Sequence, residues 1–349
     1  MGSFSNFAQH MNWAGLIDLL LSVAAILLCL VILTAGGVIW AQGHIVFDAE
    51  GMAHLDLPWQ QEETESPEDP GELDLVIQEP AAPSEVRVWQ IAAAPLTAEA
   101  AQSAKTTAEQ MTCNAFAVTV KDREGRIFFD SQTAVPGTVE TAPDTAETLA
   151  AMLAEDGAGD GWTVARISCL LDPAASKADV EGMGLKNTGG YIFYDGNNAT
   201  WLDPGKEKTR AYLSRLAVEC AQLGFDELLL SDLTFPTQGK LKKIAYPEGE
   251  KSAALLSVLA AVRTALDDAG FESVALSVEL PETVLATGAD ETAGLDLKTI
   301  AGAVDRIYGT VAAEQLDGAV QAVSAAGAVF VPAVSPETLP ETGSCLVAP

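Results

Sequence analysis

The chain has 349 residues, 48% of them hydrophobic, which is enough for a sizeable buried core in one large domain or two ordinary ones. It has 49 acidic and 19 basic residues and a formal net charge of -30. This balance argues against binding to nucleic acid, whose phosphates require clustered cations. It also argues against electrostatic adhesion to anionic lipid.

An apolar segment near the amino terminus predicts a single membrane span. No Asp, Glu, Lys or Arg lies between Asp18 and Asp48, and residues 19–40 are almost wholly apolar. At roughly 1.5 Å per helical residue this segment spans about 33 Å, which matches the hydrocarbon core of a bilayer. Trp13 and Trp40 lie near its two ends, where indoles favour the membrane interface.

Two alternatives to a retained span stay open. A cleaved secretory signal usually has an apolar run of roughly 7 to 15 residues after a basic segment, whereas this run is longer and follows no basic residue. A buried core helix would show a polar face, which this segment lacks. We therefore expect a short tail (1–18), a transmembrane helix (19–40) and a single-pass protein of the cell membrane.

Orientation depends on the short amino-terminal tail, because Arg87 is the first basic residue of the chain. We expect the carboxyl-terminal part to be extracytoplasmic. Residues 41–86 are predicted to form an acidic, proline-rich linker. Between Asp48 and Glu85 it has 12 acidic residues, no basic ones and five prolines. Charge repulsion and proline stiffness favour an extended, disordered spacer, with an interaction segment as the alternative.

After Arg87, short apolar runs alternate with helical stretches, as in repeated βα units. Seven strands are predicted, one fewer than a closed eightfold barrel requires. The expected fold class is α/β, and a (β/α)8 TIM barrel with one strand unaccounted for is the favoured member. An open doubly wound sheet is the alternative, although no GxGxxG motif follows the first strand. The barrel is assigned to residues 87–335 and a carboxyl-terminal tail to residues 336–349.

Histidine chemistry is excluded from the barrel. The only histidines, His10, His44 and His54, all precede it, so neither a Ser-His-Asp triad nor a histidine metal site can form there. No DxDxDG calcium loop is present either. We therefore expect no metal and no cofactor.

Acidic residues remain as candidate catalytic groups. In a barrel, side chains at or just after the carboxyl ends of the strands face the active site. A proton donor paired with a base or nucleophile is the minimum that glycoside hydrolysis requires. The candidates at or after the second to fifth predicted strands are Asp122, Asp172, Asp232 and Glu279.

The segment from residue 201 to 236, which contains WLDP (201–204) and GFDE (224–227), resembles a bacterial family of glycoside hydrolase domains with a TIM-barrel fold. The segment VKDREG (120–125) is similar to the same family, and the resemblance extends from about residue 86 to 332. It implies an activity on carbohydrate, with the sugar and the linkage unspecified.

The chain also departs from the family pattern. The resemblance implies acids at the positions of Thr119 and Ser231, a lysine at Leu171 and an arginine at Thr234. Asp232 is adjacent to Ser231, but a shift of one residue along a strand turns a side chain to the opposite face. We therefore expect the fourth strand to have lost both its acid at the barrel mouth and its cationic partner.

Carbohydrate binding could survive such a loss. Hydrogen-bonding groups and aromatic faces for sugar rings would come from Lys121, Arg166, Tyr191, Tyr194, Trp201 and Asp203. Ordinary structural roles for these side chains, such as packing, an ion pair or a turn, are the alternative. Three functions thus stay open: a hydrolase at the cell envelope, an inactive carbohydrate-binding pseudoenzyme, and a scaffold that presents its acidic surface to a protein partner.

Overall fold

The computed structural model describes residues 45–47, 53–55, 83, 85–154 and 161–348. The predicted tail (1–18) and transmembrane helix (19–40) lie outside the described residues. Within the part that is described, none of the helices combines the length and the apolar character needed to cross a bilayer.

Two three-residue strands, Ile45–Phe47 and Ala53–Leu55, pair antiparallel within the predicted linker. The prediction of an extended, disordered chain is wrong for this pair. Ile45, Val46 and Phe47 are β-branched and aromatic residues, which favour strands, and they precede the acidic run that begins at Asp48.

Eight parallel strands form a closed barrel, so the TIM-barrel prediction is confirmed and the barrel is complete. Each strand pairs with the next one along the chain, and the last pairs with the first. The strands are β1 (Arg87–Ile91), β2 (Ala115–Lys121), β3 (Trp162–Ser168), β4 (Glu227–Ser231), β5 (Ala275–Glu279), β6 (Arg306–Gly309), β7 (Val329–Val334) and β8 (Cys345–Val347).

Helices connect the strands and cover the outside of the barrel. They are α1 (Ala98–Gln110), α2 (Thr145–Leu153), α3 (Pro173–Ala178), α4 (Glu207–Leu223), α5 (Lys251–Asp268), α6 (Glu282–Thr287), α7 (Leu297–Ala301) and α8 (Leu316–Ala326). Short 3-10 turns lie at Leu241–Lys243, Ala313–Gln315 and Pro336–Thr338, and a small antiparallel pair joins Ala289–Asp290 to Leu295–Asp296.

The eighth strand lies in the segment that we predicted to be a tail (336–349), and that prediction is wrong. Cys345, Leu346 and Val347 are 0%, 5% and 0% exposed, and they pair with β1 on one side and β7 on the other. Three residues are too few for an alternating pattern to stand out from the surrounding polar chain.

The amino-terminal end of the barrel interior is closed by a buried polar cluster. Glu227 accepts hydrogen bonds from Trp162 Nε1 at 2.6 Å and Arg306 Nη1 at 2.9 Å, and also from the Ser277 hydroxyl. The carboxylate is thereby neutralised and fully hydrogen-bonded in the core. In barrels of this type the active site lies at the opposite, carboxyl end of the strands.

A buried ion pair ties β2 to the loop after β3. Lys121 Nζ lies 2.9 Å from Asp172 Oδ2, and both side chains are fully buried. Lys121 also donates to the Ser168 carbonyl, while Asp172 accepts from Tyr212 Oη at 3.2 Å and from the Ala175 N–H at 2.8 Å. Burial raises the pKa of the Tyr212 phenol far above its usual range. These contacts fix two loops at the carboxyl end of the barrel.

A chain that ends at Gly343 should lose at least about 3 kcal/mol of unfolding free energy, because it lacks the buried Leu346 and Val347 and leaves two strand edges unpaired. The measurement is urea unfolding followed by circular dichroism. A chain that ends at Ala348 is the control and should match the full chain. Equal stability of the two truncated chains would show that β8 does not close the barrel.

Replacing Lys121 by Met should lower the unfolding free energy by about 3 to 5 kcal/mol, because Asp172 would keep a buried charge without its partner. Arg126→Met is the matched control, since Arg126 pairs with Asp122 at 2.6 Å but is 45% exposed, and such pairs contribute about 0 to 1 kcal/mol. The double variant K121M/D172L should recover part of the loss. Similar losses for K121M and R126M in urea unfolding would contradict the structural role of the buried pair.

Candidate functional site

A cleft with two lobes opens at the carboxyl ends of β3, β4 and β5. The first lobe has a volume of about 330 Å³ and the second about 380 Å³. Arg123, Asp232 and Thr234 line both lobes, so the two volumes adjoin. The cleft therefore lies where a barrel of this type builds an active site.

The first lobe contains an arginine–carboxylate pair that spans three strands. Arg166 of β3 and Glu279 of β5 both line it, both side chains are 33% exposed, and Arg166 Nη2 pairs with Glu279 Oε2. Ser231, on β4 between them, is 3% exposed, and its hydroxyl donates to the Ile167 carbonyl at 3.3 Å. β4 thus contributes only a hydroxyl where the resemblance implies an acid.

Asp232 supplies the second carboxylate of the cleft. It follows the last residue of β4 and has a φ of 52°, in the left-handed region that Asp tolerates better than most residues. Its Oδ2 accepts from Ser168 Oγ at 2.9 Å, and its Oδ1 lies 3.0 Å from Arg123 Nη2. The expectation that Asp232 would turn away from the mouth is wrong, because strand alternation ends with the strand.

Two of the other candidate acids have roles in the loops and do not line the cleft. Asp122 closes a turn by accepting from the N–H groups of Glu124 at 3.0 Å and Arg126 at 2.9 Å. The same turn needs Gly125 at φ 84°, where an added Cβ would lie 2.2 Å from Asp172 Oδ1. Asp172 and its partner Lys121 are both fully buried, so neither of these two side chains can contact a ligand in the cleft.

The predicted carbohydrate-binding residues are divided between the cleft and its surroundings. Trp201 lines the second lobe and donates from Nε1 to Asp195 Oδ2 at 3.0 Å. Asp203 is 7% exposed outside the cleft, and burial raises the pKa of its carboxyl. Tyr191 and Tyr194 are 75% and 45% exposed on the outer surface. The cleft thus brings together Arg166, Trp201, Asp232 and Glu279.

Arg123 lines both lobes and pairs with Asp232, and it was not among the predicted site residues. It lies inside the KDREG segment, directly after Asp122, and its side chain is 66% exposed while it pairs with Asp232. The sequence signal that could have identified Arg123 was its position in a segment that resembles the family.

The two carboxylates differ in how firmly they are held. A charged carboxylate can act as a base or nucleophile, whereas only a protonated carboxyl group can donate a proton. The pair of Arg123 with Asp232 is largely exposed on the arginine side, and exposed pairs contribute only about 0 to 1 kcal/mol. A ligand that displaces Arg123 could therefore free Asp232. No group of three or more His, Cys, Asp or Glu side chains in the described residues could hold a metal ion.

The chain is similar to several solved structures. The glycoside hydrolase domain of PgaB (BpsB) from Bordetella bronchiseptica matches with a TM-score of 0.51 and 13% identity, over 76% of this chain and 94% of that chain. A hypothetical protein from Ruminiclostridium thermocellum is 25% identical over 52% of this chain and 91% of that one, with a TM-score of 0.43. The glycoside hydrolase domain of PelA from Pseudomonas aeruginosa is 16% identical over 73% of this chain and 85% of that one, with a TM-score of 0.40. No curated protein sequence matches the chain.

A family described as "putative glycosyl hydrolase domain" matches residues 90–311. The match covers more than half of the chain and includes every residue that lines the two lobes. The chain therefore belongs to this glycosyl hydrolase domain family.

Proposed function

We propose that the barrel acts on carbohydrate in the two-lobed cleft, with Asp232 and Glu279 as the reacting pair. The observation that carries this proposal is that both carboxylates line the same lobe. Glycoside hydrolysis needs one carboxylic acid to protonate the leaving oxygen and one carboxylate to attack the sugar or activate water. Membership of the glycosyl hydrolase domain family supports the same reaction class.

The ion pairs suggest which carboxylate takes which role. Glu279 pairs with Arg166 inside the first lobe, a position that suits a nucleophile or base. Asp232 is paired with the exposed Arg123, and a sugar that displaces this arginine would let Asp232 take up and deliver a proton. Trp201, which is 6% exposed, would form part of the wall around a neighbouring sugar unit in the second lobe.

Binding without hydrolysis is the second candidate function. Both carboxylates of the cleft form ion pairs with arginine, so a substrate must displace an arginine before the carboxyl group next to it can react. Ser231 and Thr234 stand where the resemblance implies an acid and an arginine. A pseudoenzyme of this kind would retain glycans in the same cleft without cleaving them.

The variants Glu279→Gln and Asp232→Asn should each reduce sugar release by a factor of about 10² to 10⁴, because each removes a proton-transfer or nucleophilic group. The measurement is release of reducing sugar from a panel of envelope and dietary glycans by the full chain. Asp122→Asn, which alters a carboxylate outside the cleft, is the control and should retain activity.

The wild-type result decides between the two candidate functions. Glycan retention on an array without any sugar release, weakened by E279Q, would replace the hydrolase with the binding protein. If the folded protein neither retains a glycan nor releases sugar, both candidate functions are overturned.

We infer that residues 19–40 anchor the barrel to the cell membrane as a single span. The support is the apolar run without any charged residue between Asp18 and Asp48. The barrel would then be extracytoplasmic, joined to the membrane through the acidic segment before Arg87.

Deletion of residues 1–40 should move the protein from the membrane pellet to the soluble fraction, because the deleted segment contains the only run long enough to span the bilayer before the barrel. Full-length protein should resist an alkaline wash and should be cut by external protease in intact spheroplasts. Protease resistance before lysis would overturn the orientation. An amino terminus after residue 40 in the mature protein would identify a cleaved signal.

A further inference from the structure

One short turn concentrates positive charge in this acidic protein. Lys240, Lys242 and Lys243 occupy three of four consecutive positions on and beside the 3-10 turn at Leu241–Lys243, and all three side chains are exposed. In the described part of the chain, none of the three forms an ion pair with a carboxylate. We refer to these three residues as the lysine rim. Like charges this close repel one another, so an anionic ligand would relieve the repulsion.

The lysine rim borders the second lobe of the cleft. It belongs to the loop between β4 and α5, at the carboxyl end of the barrel, two residues after Gln238, which lines that lobe. The Thr188 N–H donates to the Lys243 carbonyl at 2.8 Å, and the Gly196 N–H donates to the Gln238 carbonyl at 3.2 Å. These bonds join the rim to the loop between α3 and α4, which carries the other wall of the lobe.

The same loop between α3 and α4 presents an exposed aromatic ring. Tyr191 is 75% exposed, and its carbonyl accepts from the Asn187 N–H, while Asn187 forms a bridge to Ile244 directly after the rim. An exposed aromatic face can stack on a sugar ring, and lysines next to it can bind carboxylate or phosphate groups.

We propose that the lysine rim binds the anionic groups of an acidic polysaccharide whose chain continues into the second lobe. This rests on the proposed function, since it assumes that the cleft takes carbohydrate. The net charge of -30 disfavours a broad polyanionic partner such as a membrane surface, which would approach the acidic parts of the molecule as well. A single polysaccharide strand can meet the rim alone, because the repulsion from more distant acids is screened beyond a Debye length of about 8 Å at physiological salt.

The test measures binding of the full chain in detergent to polygalacturonate and to poly(glycerol phosphate), with neutral galactan for comparison. Wild-type protein should bind at least one of the two anionic polymers. Binding should weaken in about 0.5 M NaCl, because this salt concentration shortens the Debye length to roughly a few Å. The variant K240Q/K242Q/K243Q should bind roughly tenfold more weakly, since each exposed charge contributes a modest amount.

Two controls separate the rim from net charge and from folding. The variant K240R/K242R/K243R keeps the charge and should keep the affinity. Lys298→Gln removes an exposed lysine of α7 and should change nothing. Thermal unfolding should be the same for all variants, because the three rim side chains are exposed.

Equal binding to galactan and to the anionic polymers, or binding of neither anionic polymer, would overturn the proposal. So would capture of phosphatidylglycerol vesicles through the three lysines without polymer binding. Two variants separate this proposal from the proposed function: reduced sugar release by E279Q tests the reacting pair, whereas reduced polymer binding by K240Q/K242Q/K243Q tests the rim. Sugar release together with polymer binding that is insensitive to the three lysines would retain the hydrolase and remove the rim.

Discussion

Closure of the sheet by β8 is the constraint on which the rest of the structure depends. A strand of three residues hydrogen-bonds to both β7 and β1 and removes the two edges that a seven-stranded sheet would expose. Closure also brings the carboxyl ends of all strands to one rim. Arg166 and Glu279 can pair across β4 only because the sheet curves around a common axis. The geometry of the cleft is thus a consequence of barrel closure.

Loops at this rim are held by buried charge rather than by apolar packing alone. Lys121 and Asp172 come from different βα units and neutralise each other at 2.9 Å in a fully buried position. Breaking such a pair costs more than its formation contributes, because a lone buried charge would remain. The pair therefore selects one arrangement of the β2 and β3 loops, and that arrangement places Arg123 beside Asp232.

Sequence patterns predicted the parts of this structure that repeat and missed those that do not. Seven strands and the helical stretches between them have the apolar patterns that burial on a sheet requires, and the sequence predicted them. β8 is too short to show a period. The burial of Lys121 and Asp172 depends on a contact across 51 positions of sequence, which no local pattern records. Asp232 was a candidate acid, yet it was also expected to turn away from the mouth, because the rule of alternation was extended one residue past the strand, into a left-handed backbone.

The two lobes divide the chemistry of the cleft between them. The first lobe has Glu279 and Arg166 inside the barrel mouth, and the second is walled by loops that carry Trp201, Asp195 and Gln238. Asp232 and Arg123 stand at the junction and line both. A ligand long enough to occupy both lobes must pass this exposed ion pair, and binding energy gained in the loop-lined lobe can be used to separate it. Occupancy of the second lobe by such a ligand and the freedom of Asp232 in the first would then be coupled through Arg123.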